Sequence, residues 1–229
     1  MKHVLIFVSA LSLAACSAAQ STNASEADAT PKPQTVKFTP SGQTDTAIFA
    51  GGCFWCIESD FEKLPGVLDV VSGYTGGETI NPTYKQVTYA ETGHFEAVEV
   101  TFDPAHVSYN ELLTYFWHHI DPTDPYGQFC DKGSSYRTAI FARPDQVDVA
   151  TASKAEIEAT KPFKAEIVTP VLTAQAFYLA EDYHQDYYKK NPAHYNRYRR
   201  GCGRDARVKA LWHSAPKSAN ADKSYGSGK

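Results

Sequence analysis

The run Gly51-Gly52-Cys53-Phe54-Trp55-Cys56 lies between a short β-like stretch, Thr46 to Ala50, and a helix-like one that passes through Phe61 and Leu64. A strand that feeds a helix across two glycines must turn sharply, and glycine permits this because it has no Cβ to clash. The junction puts Cys53 at or beside a helix N-terminus, where unpaired N–H groups and the helix dipole favour a thiolate. The two aromatic rings that follow can wall an apolar pocket around whatever the sulfur attacks. By spacing alone, Cys53 and Cys56 form a C-x-x-C pair with three readings: a thioredoxin-like dithiol, half of a zinc site, or a nucleophile followed by an incidental cysteine. Zinc needs two further ligands at suitable spacing, and Cys130 and Cys202 are isolated singles. Phe54-Trp55 is also a poor match to the proline or glycine expected inside a thioredoxin-like pair.

Around this junction the chain divides by composition. Residues 1–15 read as a signal peptide, with Lys2 as a minimal positive start and an apolar run from Val4 to Leu13 too short to span a membrane. The segment Leu13-Ala14-Ala15-Cys16 resembles a bacterial lipoprotein signal, which implies lipidation of Cys16; an ordinary signal peptide is the alternative. Ser17 lacks the aspartate that tends to retain lipoproteins in the inner membrane, so an outer-membrane anchor facing the periplasm is expected. Residues 16–44 are rich in Ala, Ser, Thr, Pro and Gln and cannot bury enough surface to offset their ordering entropy, so a flexible tether is expected. The 215–229 tail has the same character and is expected to be disordered. One domain remains, 45–214, and a monomer is expected. A net charge of -4 without a basic cluster excludes a nucleic-acid footprint.

Within the domain, strands are expected over 66–74, 95–102, 137–142 and 165–170. Ser108-Tyr109-Asn110-Glu111 is a capping box that opens a helix burying Leu112, Leu113, Phe116, Trp117 and Ile120, which Asp121-Pro122 ends. Further helices are expected from Pro144 to Thr160 and from Ala180 to Lys190. The stretch from Asn191 to His213 reads as polar and irregular, with a helical turn near Val208 to Trp212. Strands and helices mix without regular βαβ alternation, so the fold class is α+β, a two-layer sandwich with a mixed sheet. In the strand 95–102, Glu96 falls in register with Val98, Val100 and Phe102. A carboxylate aimed at a core is costly unless it is paired or functional.

Together these residues resemble the A-type peptide methionine sulfoxide reductases. The resemblance is carried by Gly52-Cys53-Phe54-Trp55, Gly73-Tyr74-Thr75-Gly76-Gly77, Asn81-Pro82-Thr83-Tyr84, Thr92-Gly93-His94-Phe95-Glu96-Ala97-Val98, Phe116-Trp117 and Asp121-Pro122. It continues through Gly133 to Ile140, Ala180 to Gln185 and Cys202-Gly203-Arg204. The ordered set spans about Ala47 to Trp212. It implies a sheet with a ferredoxin-like core, and reduction of methionine S-sulfoxide, free or in proteins, through a sulfenic acid and an intramolecular disulfide, without bound cofactor or metal. A thioredoxin-like dithiol is the implied external reductant.

By the same resemblance Cys53 is the nucleophile, and Phe54 and Trp55 hold the substrate methyl group. Glu96 is the acid, its apolar strand face supplying the desolvation that keeps a carboxyl protonated. Tyr84 and Tyr136 are hydroxyl donors to the oxygen, and Asp131 orients the site or, on a plainer reading, caps a turn with Gly133. Cys202 resembles the resolving cysteine, its flanking glycines letting the segment swing toward Cys53. Cys56 and then Cys130 follow as alternatives, and a relay through two of them is possible chemistry. His118, His119, His184 and His194 have no ligand spacing and are expected to be structural or exposed. Two rival functions stay open: a thiol-disulfide oxidoreductase using Cys53 and Cys56, and an envelope protein that grips methionine or its sulfoxide at Phe54-Trp55.

Overall fold

The computed structural model describes residues 40–213. The signal segment with Cys16, most of the tether and the 215–229 tail lie outside that range. In chain order the elements are β1 (Asp45–Gly51), α1 (Phe54–Phe61), β2 (Val67–Thr75), α2 (Tyr84–Tyr89), β3 (Phe95–Phe102), α3 (Tyr109–Trp117), β4 (Gly127–Gln128), β5 (Asp131–Lys132), β6 (Thr138–Ala142), α4 (Val147–Thr160), β7 (Val171–Thr173), β8 (Tyr178–Leu179), α5 (Tyr187–Lys190), α6 (Pro192–Gly201) and α7 (Arg204–Trp212).

Six strands form one mixed sheet in the order β7-β6-β1-β3-β2-β8, while β4 and β5 make a separate small hairpin. All neighbours in the large sheet are antiparallel except β6 and β7. Its centre, β6-β1-β3-β2 with α1 and α3 as crossovers, is the ferredoxin-like arrangement. Alternation in β1 and β3 sends Ala47, Phe49, Val98, Val100 and Phe102 to the face covered by Ile57 and Phe61 of α1 and by Leu112, Leu113, Phe116 and Trp117 of α3. A smaller cluster of Ile48, Ala50, Phe95, Ala97, Ala139 and Phe141 occupies the opposite face, against Leu172, Ala174 and Phe177. The result is a two-layer α+β sandwich.

The Ser108–Glu111 capping box is formed in both directions, but α3 ends at Trp117, before Ile120 and Asp121. A second capping box, Thr83 with Gln86, starts α2 where the sequence reads as loop.

Three expectations are corrected. The strand expected over 165–170 begins only at Val171: Val168 N–H donates to Pro122 O at 2.8 Å, away from the ladder. Pro170 has no N–H to give; it only accepts, from Ile140. The helix expected over 180–190 is mostly turns and survives only as α5, because Asp186 takes a left-handed conformation at φ 54°. Upstream, Gln185 is tied to the backbone of Ser72 through both its Oε1 and Nε2. The polar stretch 191–213 is not irregular but helical, as α6 and α7. Its low apolar content hides two helices that bury little besides Tyr195, Arg204 and Leu211.

Ser41, in the segment read as tether, is docked. Its side chain and N–H both donate to Asp103, at 2.7 and 2.5 Å.

Candidate active site

β1 ends at Gly51, and Gly52 turns the chain at φ 83°, so that Cys53 becomes the N-cap of α1. A Cβ on Gly51 would lie 2.4 Å from Ile57 Cδ1, and one on Gly52 would lie 2.5 Å from Gln128 Cβ. The glycine pair is thus required by close packing as well as by the turn.

From the neighbouring strand β3, Glu96 reaches the start of α1. It is 1% exposed, and its Oε2 accepts the N–H of Phe54 at 3.1 Å. Burial pushes the Glu96 carboxyl up to about 8, against the opposing pull of the Phe54 N–H and the Tyr136 hydroxyl. It is therefore a protonated acid at neutral pH. The Tyr84 and Tyr136 hydroxyls lie near each other beside it, and burial raises both.

Cys53, 6% exposed, is not the thiolate its helix position suggests. Burial pushes it well up, and Cys56 beside it pushes the same way, outweighing the helix dipole. Cys56 moves in the opposite direction, down to about 7, because the Cys53 thiol beside it and then the guanidiniums of Arg204 and Arg199 favour its anion against burial.

The aromatic residues close around this centre. Trp55 Nε1 donates to His184 Nδ1 at 3.1 Å, which fixes the acceptor tautomer of that ring. Burial drives His184 down to about 4, so it is neutral. The Trp55 ring stacks on Tyr187 at 3.7 Å and meets Tyr198 edge-on at 5.9 Å. Phe54 is wholly buried, 4.9 Å from the His184 ring. Behind them Glu181 accepts from the Tyr84 N–H and from the Tyr74 hydroxyl, both at 2.9 Å.

Asp131, on the hairpin β4–β5, does more than cap a turn. Its Oδ2 accepts from the Tyr198 hydroxyl at 2.5 Å, Oδ1 lies 3.7 Å from Cys130 Sγ, and Tyr198 lies close enough to Cys53 to act on its charge. Cys202 is paired with a cysteine other than Cys53. As the C-cap of α6 it is disulfide-bonded to Cys130, while Cys53 and Cys56 are free and buried. The helical order of α6 and α7 seats Cys202 over the turn between β4 and β5. The thiol beside Cys53 is Cys56.

The sequence reading missed Tyr198, Arg204, Glu181 and the site position of His184. Tyr198 and Arg204 belong to the stretch read as irregular, and an i, i+3 reading of Tyr195 and Tyr198 is the signal that finds that face. The four histidines do not converge: His118 and His119 bond to the carbonyls of Thr114 and Tyr115, His184 to Trp55 and His194 to Tyr187. Glu58, Glu62 and Asp186 do gather, but Lys189 already bridges Glu62 and Asp186.

A neutral buried acid next to a thiol pair, inside an aromatic cage, suits donation of a proton to an oxygen while a sulfur attacks. Residues 45–216 match the family model of peptide methionine sulfoxide reductase. The peptide methionine sulfoxide reductase MsrA 2 of Caulobacter vibrioides is 55% identical over 171 residues, 74% of this chain and 86% of that one. The MsrA of Bacillus subtilis is 54% identical over 173 residues, 75% of this chain and 98% of that one. Among solved structures, reduced Mxr1 from Saccharomyces cerevisiae superposes with a TM-score of 0.62 at 31% identity, covering 69% of this chain and 91% of that one. The methionine sulfoxide reductase A of Corynebacterium diphtheriae gives 0.58 at 36% identity, covering 71% and 83%.

Proposed function

The chain belongs to the A-type peptide methionine sulfoxide reductase family, and on that premise we propose how its residues divide the reaction. Cys53 attacks the sulfur of methionine S-sulfoxide, free or in an oxidised protein, and Glu96 protonates the oxygen. Methionine leaves, and Cys53 remains as a sulfenic acid. The observation that carries this reading is the neutral Glu96 carboxyl held against the first N–H after Cys53. Tyr84 and Tyr136 steady the oxygen, Phe54 and Trp55 wall the methyl group, and Asp131 acts through Tyr198. No bound cofactor takes part.

Cys56 then condenses with the sulfenic acid, releasing water. The disulfide passes by exchange to the Cys130 and Cys202 thiols, whose bridge is exposed at Cys130. There a thioredoxin-like dithiol reopens it. The order Cys56 before Cys202 rests on Cys56 being the thiol against Cys53.

The test is methionine formation from the S and R epimers of methionine sulfoxide with dithiothreitol. The S epimer should be consumed, the R epimer left, and Cys53→Ser should abolish the reaction. Reduction of a disulfide substrate without sulfoxide reduction would favour the oxidoreductase alternative. Release of less than stoichiometric methionine in one turnover would favour a mere binding protein.

The location is proposed from the sequence: a chain lipidated at Cys16, in the envelope, facing the periplasm. It is tested by incorporation of labelled palmitate, which Cys16→Ala should abolish. That compartment is oxidising, so the reductant must be supplied to it by a dedicated partner.

A further inference from the structure

Among the described residues, two groups of three His, Cys, Asp or Glu side chains bring a possible ligand atom each to within 4.8 Å of the others. One of them, Glu58 with Glu62 and Asp186, already holds a cation of the chain, because Lys189 pairs with both Glu62 and Asp186. The other is Cys130, Asp131 and Cys202, two sulfurs and a carboxylate. Its sulfurs are joined in the structure, and a reductant that opens the bridge turns them into two thiols.

Those thiols stay beside each other without the bond. Cys130 sits in the turn of the β4–β5 hairpin, which Gln128 ties to Asp121 through Oε1 at 2.9 Å and Nε2 at 2.7 Å. Cys202 is the C-cap of α6, and Arg204, two residues on, donates to the carbonyls of Gly51 at 3.2 Å and His119 at 2.9 Å. The same guanidinium lies over the Phe129 ring at 4.7 Å, so it clamps the turn to α7. The Cα atoms of Cys130 and Cys202 are 4.8 Å apart. Side-chain rotation suffices to part the sulfurs to about 3.8 Å, the span of two Zn–S bonds of about 2.3 Å at a tetrahedral angle.

Asp131 completes the set. Its Oδ2 accepts from the Tyr198 hydroxyl, whereas Oδ1 faces Cys130 Sγ at 3.7 Å. A cavity of about 360 Å³ opens in front, lined by Asp121, Asp124, Phe129, Arg207 and the two cysteines. Its own acids are engaged, Asp121 with Arg207 at 2.6 Å and Asp124 with Lys132, which leaves Asp131 as the carboxylate for a cation. Two thiolates and a carboxylate exceed the charge of a zinc ion, and Arg204 and Lys132, which both act on Asp131, offset the excess. Sulfur donors select zinc over magnesium or calcium, and water from the cavity fills the fourth position.

We propose that the reduced Cys130–Cys202 pair and Asp131 form a zinc site, and that zinc bound there halts recycling of the enzyme. On binding, both thiols give their protons to solvent and the two thiolates and Asp131 Oδ1 take the metal; no electrons move. Thiolates held by zinc no longer accept the disulfide from Cys53 and Cys56. Oδ2 stays on Tyr198, so the first methionine is released as before. The halt rests on the recycling order proposed above, whereas the zinc site itself does not.

The test uses the full chain with Cys16, Cys53 and Cys56 replaced by serine, reduced with a phosphine that is then removed. Zinc titrated against a chromophoric chelator should bind at one ion per chain, with release of about two protons. The disulfide form should bind none, and magnesium should not compete. Cys130→Ser or Cys202→Ser should abolish binding, and Asp131→Asn should weaken it at least about tenfold. Cobalt in place of zinc should show thiolate-to-metal charge-transfer absorption that Cys130→Ser removes. In the wild-type chain with a thioredoxin-like reductant, zinc should hold methionine release at one per enzyme, and a chelator should restore turnover. No uptake by the reduced chain, uptake that Cys130→Ser leaves unchanged, or the parent's affinity in Asp131→Asn overturns the site. Zinc bound at the pair with turnover undiminished overturns the halt. Should the serine variant not fold, the reduced wild-type chain is compared with Cys130→Ser, and equal zinc content overturns the site equally. A wild-type chain that releases no methionine even without zinc would instead sink the assigned reaction, and the titration would still decide the site.

Discussion

The main-chain N–H of Phe54 donates to Glu96 Oε2 at 3.1 Å, joining the first residue of α1 to the second residue of β3. One hydrogen bond thereby fixes the acid relative to the nucleophile, since Cys53 is the N-cap of the same helix. It also means that the orphan N–H groups of the helix start are spent partly on the acid rather than on the thiol.

Glu96→Gln follows directly. The amide keeps an acceptor for Phe54 N–H but has no acidic proton to give, so turnover should fall by about 10²- to 10⁴-fold, with binding little changed. The wild-type rate should decline as pH rises through about 8, where the acid ionises. The stability effect has the opposite sense. The folded carboxyl is raised far above the unfolded value of about 4.3, so its contribution is intact below that value and is lost as pH rises to the folded one. Glu96→Gln should therefore melt higher than wild type at about pH 9, the gap narrowing toward about pH 5. Equal melting curves at both ends would refute the burial argument.

His184 holds Trp55 through one neutral ring nitrogen. His184→Phe removes the acceptor and leaves a half-buried indole N–H without its protein partner, at a cost of about 1 kcal/mol. The expected result is a rise in KM for the sulfoxide and a lower melting temperature. His184→Asn, which can still accept, should fall between the two proteins. A KM unaltered in both variants would show that Trp55 needs no such anchor.

How much of this was legible depends on how local the signal is. Glu96 stands out because period-two alternation through Val98, Val100 and Phe102 exposes a carboxylate on the apolar side. The turn at Gly52 is equally local. Tyr198, Arg204 and the Cys130–Cys202 bridge are not, because they depend on where a helix lands, and α6 shows little of an apolar stripe from which to read it. The bridge joins residues 72 apart in sequence, so no local pattern announces it. The thiolate expected at Cys53 was a local inference that tertiary burial overrode. It failed because the dipole of a helix terminus contributes about 1 kcal/mol, less than the desolvation of a sulfur anion.

Cys130→Ser separates catalysis from recycling. The first methionine should still be released, one per enzyme, because Cys53 and Cys56 are untouched. Steady-state turnover with a thioredoxin-like reductant should fall by at least about tenfold, while a small thiol such as dithiothreitol sustains more of it. The oxidised variant should also lose about 2–4 kcal/mol of stability with the crosslink, measured by denaturant unfolding without reductant. Full turnover with the protein reductant would remove the bridge from the pathway.

Gly201 and Gly127 make a final pair, because glycine has opposite meanings at the two positions. A Cβ at Gly201 meets nothing within 4 Å, and the residue is the last of α6 without a positive φ. Gly201→Ala should stabilise by about 0.5–1 kcal/mol through the unfolded chain. If the exchange that carries the disulfide from Cys53 and Cys56 to Cys130 and Cys202 needs the segment to move on its flanking glycines, the same change should slow steady-state turnover; if Cys202 is already seated for that exchange, the rate should hold. At Gly127 the φ is 143° and a Cβ would lie 2.1 Å from the Asp131 carbonyl oxygen. Backbone cannot rotate out of the way as a side chain can, so Gly127→Ala must open the β4–β5 hairpin. Asp131 then moves off Tyr198, and the loss should exceed about 2 kcal/mol with a parallel fall in rate. Thermal melts and steady-state turnover of the two variants with a thioredoxin-like reductant, taken together, tell a mobile Cys202 segment from a docked one.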